Sequence, residues 1–338
     1  MSASAGRWTW CAVIVSVTIM GALSGCQGTS DQSASEAASA SAQAQKLKRV
    51  EQETERLRRE RARLAAALSS KGPTVTNSPS PRASATTTGP LPPAGDSAAL
   101  RVSFDKLAAR LGGSEGLAFT PLGGTAATQL GSWRTGVGWS TVKVPLAVAV
   151  VAKSNGQPDA GVQRLMRRAI TASDNAAAEQ LWASLGEPRT AAAKVQAVLR
   201  SAGDGQTRVQ SQRVRPGFTA FGQTNWSLAN QSAFAARLPC IKYSNDVLAL
   251  MGAVESGQRW GIGAAGRPAQ FKGGWGPGSG GGYLVRQMGI VTLANGSRIG
   301  LAIASEPADG RFETGTANLT AIARWAVANV KTKGPGGC

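Results

Sequence analysis

Apolar and polar residues follow regular periods only in the part of the chain after residue 97. Apolar side chains at intervals of three or four residues predict an amphipathic helix over 98–111. Two short strands are predicted at 116–121 and 126–131, joined at a Gly-Gly pair. Helical spacing then dominates the middle of the chain. It predicts helices over 142–153, 159–170, 174–185, 188–202, 227–237 and 244–256.

The last part of the chain returns to strand-like patterns. Strands are predicted at 269–275, 284–293 and 298–305, and an Asn-Gly turn between the last two is a strong hairpin signal. A closing amphipathic helix is predicted over 313–330. Strands and helices at both ends of a helical middle predict an α+β domain, in which an antiparallel sheet is flanked by helices and carries an inserted all-α region.

The first residues have the pattern of an export signal. Residues 1–25 contain Arg7, an apolar run and the small-residue sequence Leu23-Ser24-Gly25, typical of a signal peptide. The run is shorter than the ~20 residues of a membrane-spanning helix. Cys26 follows directly and resembles the lipidated cysteine of bacterial lipoproteins; an ordinary secretory signal with an unrelated cysteine is the alternative. We expect the lipoprotein to be anchored through Cys26 at the extracytoplasmic face of the cell membrane.

Three segments of different composition separate this signal from the folded part. Residues 26–45 are rich in Ser, Ala and Gln and predict a flexible tether. Residues 46–68 are strongly charged with leucines on a three-four spacing, which predicts a short coiled-coil-like helix that either self-associates weakly or serves as a solvated spacer. Residues 69–97 are a Ser/Thr/Pro-rich linker. The folded domain is expected to span 98–333, followed by a tail at 334–338.

Charge and cysteine content narrow the partners and cofactors. The net charge is +18 and there is no histidine. On an exported protein such a charge favours anionic membrane or wall polymers, and we predict no nucleic-acid partner because no binding motif is present. Without His or a CxxC pair, neither a metal site nor a cofactor is predicted. Cys240 and Cys338 are expected to form one disulfide, with two free thiols as the alternative.

Ser140 and Lys143 place a nucleophile three residues before a base, at the mouth of an apolar run. In a helix these positions share a face, so the Lys143 ammonium is expected to reach the Ser140 hydroxyl. Because the chain has no histidine, a lysine whose pKa is lowered by burial is the remaining candidate base. Ser103 and Lys106 have the same spacing but lie on the surface of a predicted amphipathic helix. Ser140 would sit at a helix N-terminus, where its own N–H is free to bind an oxyanion.

Two further motifs follow. Ser173-Asp174-Asn175 opens a predicted helix, where these residue types are also favoured as caps. Lys272-Gly273-Gly274-Trp275 ends a predicted strand before a glycine-rich loop. In this order, with helices between the second and third, the motifs resemble the Ser-x-x-Lys, Ser-Asp-Asn and Lys-Thr-Gly signature, and the first two match it residue for residue. Residues 98–333 therefore resemble class A β-lactamases and penicillin-binding proteins, which implies a β-lactamase/transpeptidase-like fold.

The resemblance implies a serine hydrolase that binds a β-lactam or a peptidoglycan-type peptide. Ser140 would attack the β-lactam or D-alanyl carbonyl, and Lys143 would take its proton. Ser173 would relay a proton to the leaving nitrogen.

The remaining motif residues would bind the substrate. Asn175 would hydrogen-bond the side-chain amide of the substrate, and Lys272 would lower the pKa of its neighbours and attract the substrate carboxylate. Gly274 and Trp275 would line the site, and the N–H groups of Ser140 and Trp275 would form the oxyanion hole.

Two departures from the family pattern change the expected activity. Gly273 replaces a Thr or Ser hydroxyl that would contact the substrate carboxylate; Arg286 is either a substitute partner or an exposed strand arginine. Class A β-lactamases deacylate through a loop glutamate, whereas residues 205–226 contain no Asp or Glu. Glu187 and Asp204 lie nearby but outside a matching context.

The sequence therefore predicts an exported, lipid-anchored serine acyl-enzyme that deacylates slowly. One alternative is a non-catalytic surface lipoprotein that binds wall fragments or a partner protein through the same fold. A coiled-coil adaptor with a passive domain is a third hypothesis.

Overall fold

The computed structural model describes residues 94–278, 280–332 and 337. All of these residues lie within one compact unit, residues 82–338. The predicted signal, tether and coiled-coil-like helix, with Cys26, lie outside the described residues and stay predictions. Within the part that is described, no helix has the length and hydropathy needed to cross a bilayer.

Helices and strands follow the predicted order, and most boundaries agree within a few residues. The elements are α1 (Ala94–Leu111), β1 (Gly113–Pro121), β2 (Thr128–Gly131), β3 (Thr135–Val137), α2 (Lys143–Lys153), α3 (Ala160–Thr171), α4 (Asn175–Ser184), α5 (Pro188–Ser201), β4 (Asn225–Ser227), α6 (Leu228–Arg237), α7 (Asn245–Gly252), β5 (Ala269–Pro277), β6 (Tyr283–Thr292), β7 (Arg298–Pro307) and α8 (Phe312–Asn329). The predicted α+β class is confirmed.

The main sheet is antiparallel and has the strand order β2-β1-β7-β6-β5. The predicted Asn-Gly hairpin joins β6 to β7, and Gly296 takes the left-handed φ of 79° that its turn requires. β5 is the last strand in this order, so no described strand pairs with its outer edge. The edge of β5 is therefore open to a ligand.

Helices cover both faces of the sheet. On one face lie α1 and α8, with a core that includes Phe104 and Leu319. On the other face α6 packs on β1 and β7 so closely that a Cβ on Gly300 would lie 2.2 Å from the Ser232 carbonyl oxygen. The inserted helices extend this second core, and every residue of α2 from Lys143 to Val151 is buried. The apolar run after Lys143 thus forms the central helix of that core.

A small two-stranded sheet was not predicted from the sequence. β3 pairs antiparallel with β4, with Gly136 opposite Trp226. Three-residue strands are too short to show alternation. Trp226 is buried and donates from Nε1 to Asp204 Oδ2 at 3.0 Å. The β3–β4 pair holds the segment before Ser140 against the segment before α6.

Candidate active site

Ser140 lies in a 3₁₀ turn, Trp139–Val142, that leads directly into α2. Trp139 has a left-handed φ of 49°, an uncommon conformation for a bulky residue that costs on the order of 1–3 kcal/mol. The turn is held by two short contacts: Gly138 N–H donates to Thr224 O at 2.7 Å, and the Thr141 hydroxyl donates to Gly138 O at 2.5 Å. Ser140 is only partly buried and, among the described residues, its hydroxyl has no hydrogen-bond partner. It is available to a ligand.

β5 runs alongside this turn at a distance that requires glycine. A Cβ on Gly274 would lie 2.8 Å from the Ser140 nitrogen, and one on Gly276 would lie 2.7 Å from the Trp139 ring. Both distances are too short for a side chain. The absence of side chains therefore lets the strand backbone from Gly274 to Trp275 lie beside the Ser140 amide.

Lys143 extends past Ser140 to the second motif. Its Nζ donates to Ser173 O at 2.5 Å and to Asn175 Oδ1 at 2.8 Å, with Ser173 Oγ at 3.4 Å. The expected hydrogen bond to Ser140 does not form, because these acceptors hold the amine. Burial lowers the pKa of Lys143 to about 7, against a weaker opposing effect of the Asp174 and Glu179 charges.

The second motif caps a helix and also presents side chains to Lys143. Asp174 caps α4 by accepting from Ala177 N–H at 2.9 Å, and it also pairs with Arg168. The Ala177 bond, with the Arg168 contacts, lowers the pKa of Asp174. Ser173, immediately before it, has a left-handed φ of 59°. The capping interpretation is confirmed for Asp174, and the sharp turn leaves Ser173 and Asn175 facing the lysine.

Lys272 reaches the same serine from the opposite side. Its side chain is fully buried, and Nζ donates to Ser173 Oγ at 2.8 Å and to Gly273 O at 2.9 Å. Burial, and then repulsion from Lys143, lowers the pKa of Lys272 well below its usual value. The Ser173 hydroxyl therefore lies between two lysine amines. The structure thus brings Lys143, Ser173 and Lys272 into direct contact.

Arg286 is neither exposed nor directed at a ligand, so both readings of this residue from the sequence were wrong. It is fully buried and donates to Gly136 O at 3.0 Å, Val137 O at 2.9 Å and Trp226 O at 3.0 Å. Its guanidinium also lies 4.9 Å from the ring centroid of Trp133. Burial lowers its pKa to about 9, which still leaves it charged at neutral pH. A buried cation thus clamps β3 to β4 ahead of the turn that carries Ser140.

A hydrogen-bond chain links this cation to the turn that carries Ser140. Arg286 donates to Gln231 Oε1 at 2.5 Å, and Gln231 Nε2 donates to the Thr141 hydroxyl at 2.7 Å. Thr141 in turn donates to Gly138 O. Sequence reasoning missed this role because a single arginine in an apolar strand carries no motif.

The carboxylates near the loop after α5 are already engaged. Asp204 is 5% exposed and accepts from Thr207 N at 2.9 Å and from Asn230 Nδ2 at 2.9 Å, besides Trp226. Glu179 pairs with Arg213 of the loop at 2.9 Å. Over the described ranges, no cluster of three or more His, Cys, Asp or Glu side chains could hold a metal ion.

The structure describes only one of the two cysteines of the predicted disulfide. Cys240 is disulfide-bonded. Cys338 lies outside the described residues, so its pairing with Cys240 stays a prediction.

Replacing Arg286 by lysine tests the clamp. A single ammonium cannot fork to carbonyls of both β3 and β4, and the carbonyls left without a donor stay buried. We expect Arg286→Lys to lower the free energy of unfolding by about 2–4 kcal/mol. Urea unfolding measures this. Arg311→Lys, at a position with 68% side-chain exposure, is the matched control and should shift it by less than about 0.5 kcal/mol. Equal values for the two variants would contradict the clamp.

Comparison with known proteins identifies the fold. No protein-family model matches the chain, and no curated protein matches it. A class A β-lactamase from Mycobacterium abscessus superposes with a TM-score of 0.56 at 18% identity, over 68% of this chain and 98% of that one. PBP-A superposes at 0.53 with 19% identity, over 68% and 95%. A variant of the class A β-lactamase of the last common ancestor of Gram-negative bacteria superposes at 0.52 with 22% identity, over 68% and 97%. The chain has the fold of the class A β-lactamases and penicillin-binding proteins.

Proposed function

We propose that the protein is a serine acyl-enzyme acting on β-lactams or on D-alanyl peptides of the cell wall, with Ser140 as nucleophile. One observation carries the proposal: the Ser173 hydroxyl lies between two buried lysine amines, 3.4 Å from Lys143 and 2.8 Å from Lys272. Burial favours the neutral form of both lysines. A neutral amine accepts a proton, which an ammonium cannot do.

Acylation follows from this proton-transfer chain. The Ser140 oxygen forms a bond to the substrate carbonyl carbon, and Lys143 takes the hydroxyl proton with its lone pair. The carbon–nitrogen bond then breaks, and the leaving nitrogen receives the hydroxyl proton of Ser173. Ser173 regains a proton from the Lys143 ammonium, whose Nζ lies 3.4 Å from its Oγ, and Lys143 returns to its neutral form. Lys272 donates a hydrogen bond to Ser173 and orients that hydroxyl. Two hydrogen bonds to Ser173 O and Asn175 hold the Lys143 amine for the transfer.

The developing oxyanion would be held by backbone N–H groups. Ser140 N lies against the Gly274 backbone. The N–H of Trp275, the next residue on the open strand, is the second donor in this proposal. One such donor is typically worth about 10²–10³ in turnover.

Deacylation is proposed to be slow. It needs a base that activates water at the acyl-enzyme, and the loop at 205–226 contains no Asp or Glu. Asp204 is buried in hydrogen bonds, and Glu179 is paired with Arg213. Neither carboxylate is free to serve as that base.

We also propose that the protein is exported and anchored by a lipid on Cys26, facing the cell wall. The signal-like residues 1–25 and the net charge of +18 support this location.

A non-catalytic wall-binding lipoprotein is the second candidate. The lack of a hydrogen bond between Ser140 and Lys143, together with Gly273 in the third motif, favours it. The two candidates differ in whether a covalent bond forms at Ser140.

Intact-mass measurement separates these candidates. Mixing the purified protein with penicillin G should add the mass of one penicillin molecule, and the adduct should persist for hours because deacylation lacks a base. Ser140→Ala should give no adduct. Ser103→Ala removes the serine of the other Ser-x-x-Lys pair and should acylate normally. If the parent protein forms no adduct with several β-lactam classes, the second candidate is favoured.

The acylation rate should depend on the protonation of Lys143. Its pKa of about 7 means that the amine is neutral above this pH and an ammonium below it. The rate of acylation by a fluorescent penicillin should therefore rise between about pH 6 and pH 8 and level off, falling about tenfold for each pH unit well below 7. Lys143→Arg, which stays charged, should lose at least about 10²-fold at all pH values. A rate that is flat or falls with rising pH would exclude Lys143 as the base.

A further inference from the structure

Four aromatic rings gather beside the candidate site and form what we call the aromatic wall: Trp260, Trp275, Tyr283 and Phe312. Phe312 is the centre, with its ring centroid 5.5 Å from that of Trp275 and 6.1 Å from that of Trp260, and the Trp260 and Trp275 centroids lie 6.0 Å apart. Tyr283 extends the group at 5.8 Å from Phe312 and is 43% exposed. The other three rings are partly exposed. No catalytic step described above uses these side chains.

The wall begins one residue along β5 from Gly274, whose backbone lies against Ser140. Side chains alternate between the two faces of a strand, so Gly274 faces Ser140 while Gly273 and Trp275 point to the other face. Because β5 has an open edge, a ligand lying along that edge next to Ser140 reaches both faces. A leaving group that extends from the reacting carbonyl towards Gly273 would therefore contact the rings of Trp260 and Trp275.

Trp260 occupies the space next to Gly273. A Cβ on Gly273 would lie 3.0 Å from Cη2 and 3.3 Å from Cζ2 of the Trp260 ring. A threonine at this position would press on the ring. Glycine and tryptophan are thus complementary here, and an aromatic face takes the place of a hydroxyl.

Among the described residues, three basic side chains lie near Gly273 in the chain or in the sheet, and none of the three is directed at a ligand there. Lys272 is fully buried against Ser173, and Arg286 is fully buried beside β3 and β4. Arg259 precedes Trp260, but its guanidinium donates to Val254 O at 3.2 Å and lies over the Phe271 ring. The described surface beside Gly273 is therefore aromatic, and these three cations do not serve it.

We propose that the aromatic wall binds the leaving group of the substrate and selects a neutral, ring-bearing leaving group over one that carries a carboxylate. The proposal rests on Ser140 being an acylating nucleophile. A ring stacked on the wall gains contact area and quadrupole interactions, whereas a carboxylate there loses water without gaining a donor.

Two thioesters with the same acyl group test this selection. N-benzoylglycyl thioesters of benzyl mercaptan and of mercaptoacetate differ in carrying a ring or a carboxylate on the leaving thiol. In each, the Ser140 oxygen bonds to the carbonyl carbon, the carbon–sulfur bond breaks, and the departing thiolate takes the serine proton. Acylation is followed by intact mass, and each rate is divided by the rate of alkaline hydrolysis of the same thioester.

We expect the benzyl thioester to acylate about three- to tenfold faster than the mercaptoacetate thioester after this correction. Trp260→Ala should bring the ratio close to one. Tyr283→Ala, at an exposed position where folding is not at risk, should lower the ratio partway. Trp325→Phe, a tryptophan distant from the wall that packs on Phe104, is the matched control and should keep the full ratio.

A double variant tests the complementarity of Gly273 and Trp260. Trp260→Ala with Gly273→Thr restores both the hydroxyl and the room for it, and should reverse the preference towards mercaptoacetate.

The outcomes separate this inference from the proposed function. If the two thioesters acylate Ser140 at equal corrected rates, or if the mercaptoacetate thioester acylates it faster, the wall does not select the leaving group. The proposed function as an acyl-enzyme would still hold in that case. A ratio that Trp260→Ala and Tyr283→Ala do not change would also overturn it. Failure of both thioesters and of penicillin G to acylate Ser140 would overturn the proposed function and the inference with it.

Discussion

Burial of two lysines around one serine hydroxyl is the constraint on which the site depends. Among the described residues neither lysine forms an ion pair, and an ammonium without a partner in a protein interior is costly. The cost falls if the amine is neutral, which the lowered pKa of both groups reflects. In the proposed mechanism, the same burial that removes the charge makes Lys143 a base. The packing of the second core thus sets the protonation of the two amines.

Several elements position these amines. The buried helix α2 places Lys143, while the left-handed turn at Ser173 directs its hydroxyl and carbonyl towards Nζ. β5 brings Lys272 from the opposite side and passes Ser140 closely because Gly274 has no side chain. The third buried basic residue, Arg286, remains charged and binds backbone carbonyls instead. Its clamp on β3 and β4 fixes the segment that leads to Ser140.

Much of the fold was predictable because its signals are local. The apolar run after Lys143 forms α2, and the Asn295-Gly296 turn forms the β6–β7 hairpin. The signature motifs identified Lys143, Ser173 and Lys272, which lie far apart in the chain and are in contact in the structure. Periodicity alone would not have shown that contact, since it carries no information about which elements pack together.

What could not be predicted depends on tertiary contacts. The pairing of β3 with β4 involves only three residues on each side, and the burial of Arg286 is decided by carbonyls from those strands. The aromatic wall joins residues from four separate segments with no common motif. Lys143 donates to Ser173 and Asn175 because the conformation of the turn at Ser173 places their oxygen atoms within reach of its amine. The helical spacing of Ser140 and Lys143 carries no information about that turn.

The charge state of the two lysines is the central claim, and an NMR titration of their side chains tests it most directly. With ¹³C,¹⁵N-labelled lysine and Lys143→Met and Lys272→Met for assignment, the Lys143 Nζ resonance should titrate near pH 7 instead of near the ordinary 10.5. The Lys272 resonance should also titrate well below its ordinary pKa, because its burial disfavours the ammonium. If both resonances report ammonium groups up to about pH 10, the amines are not bases, and the proposed acylation chemistry is wrong.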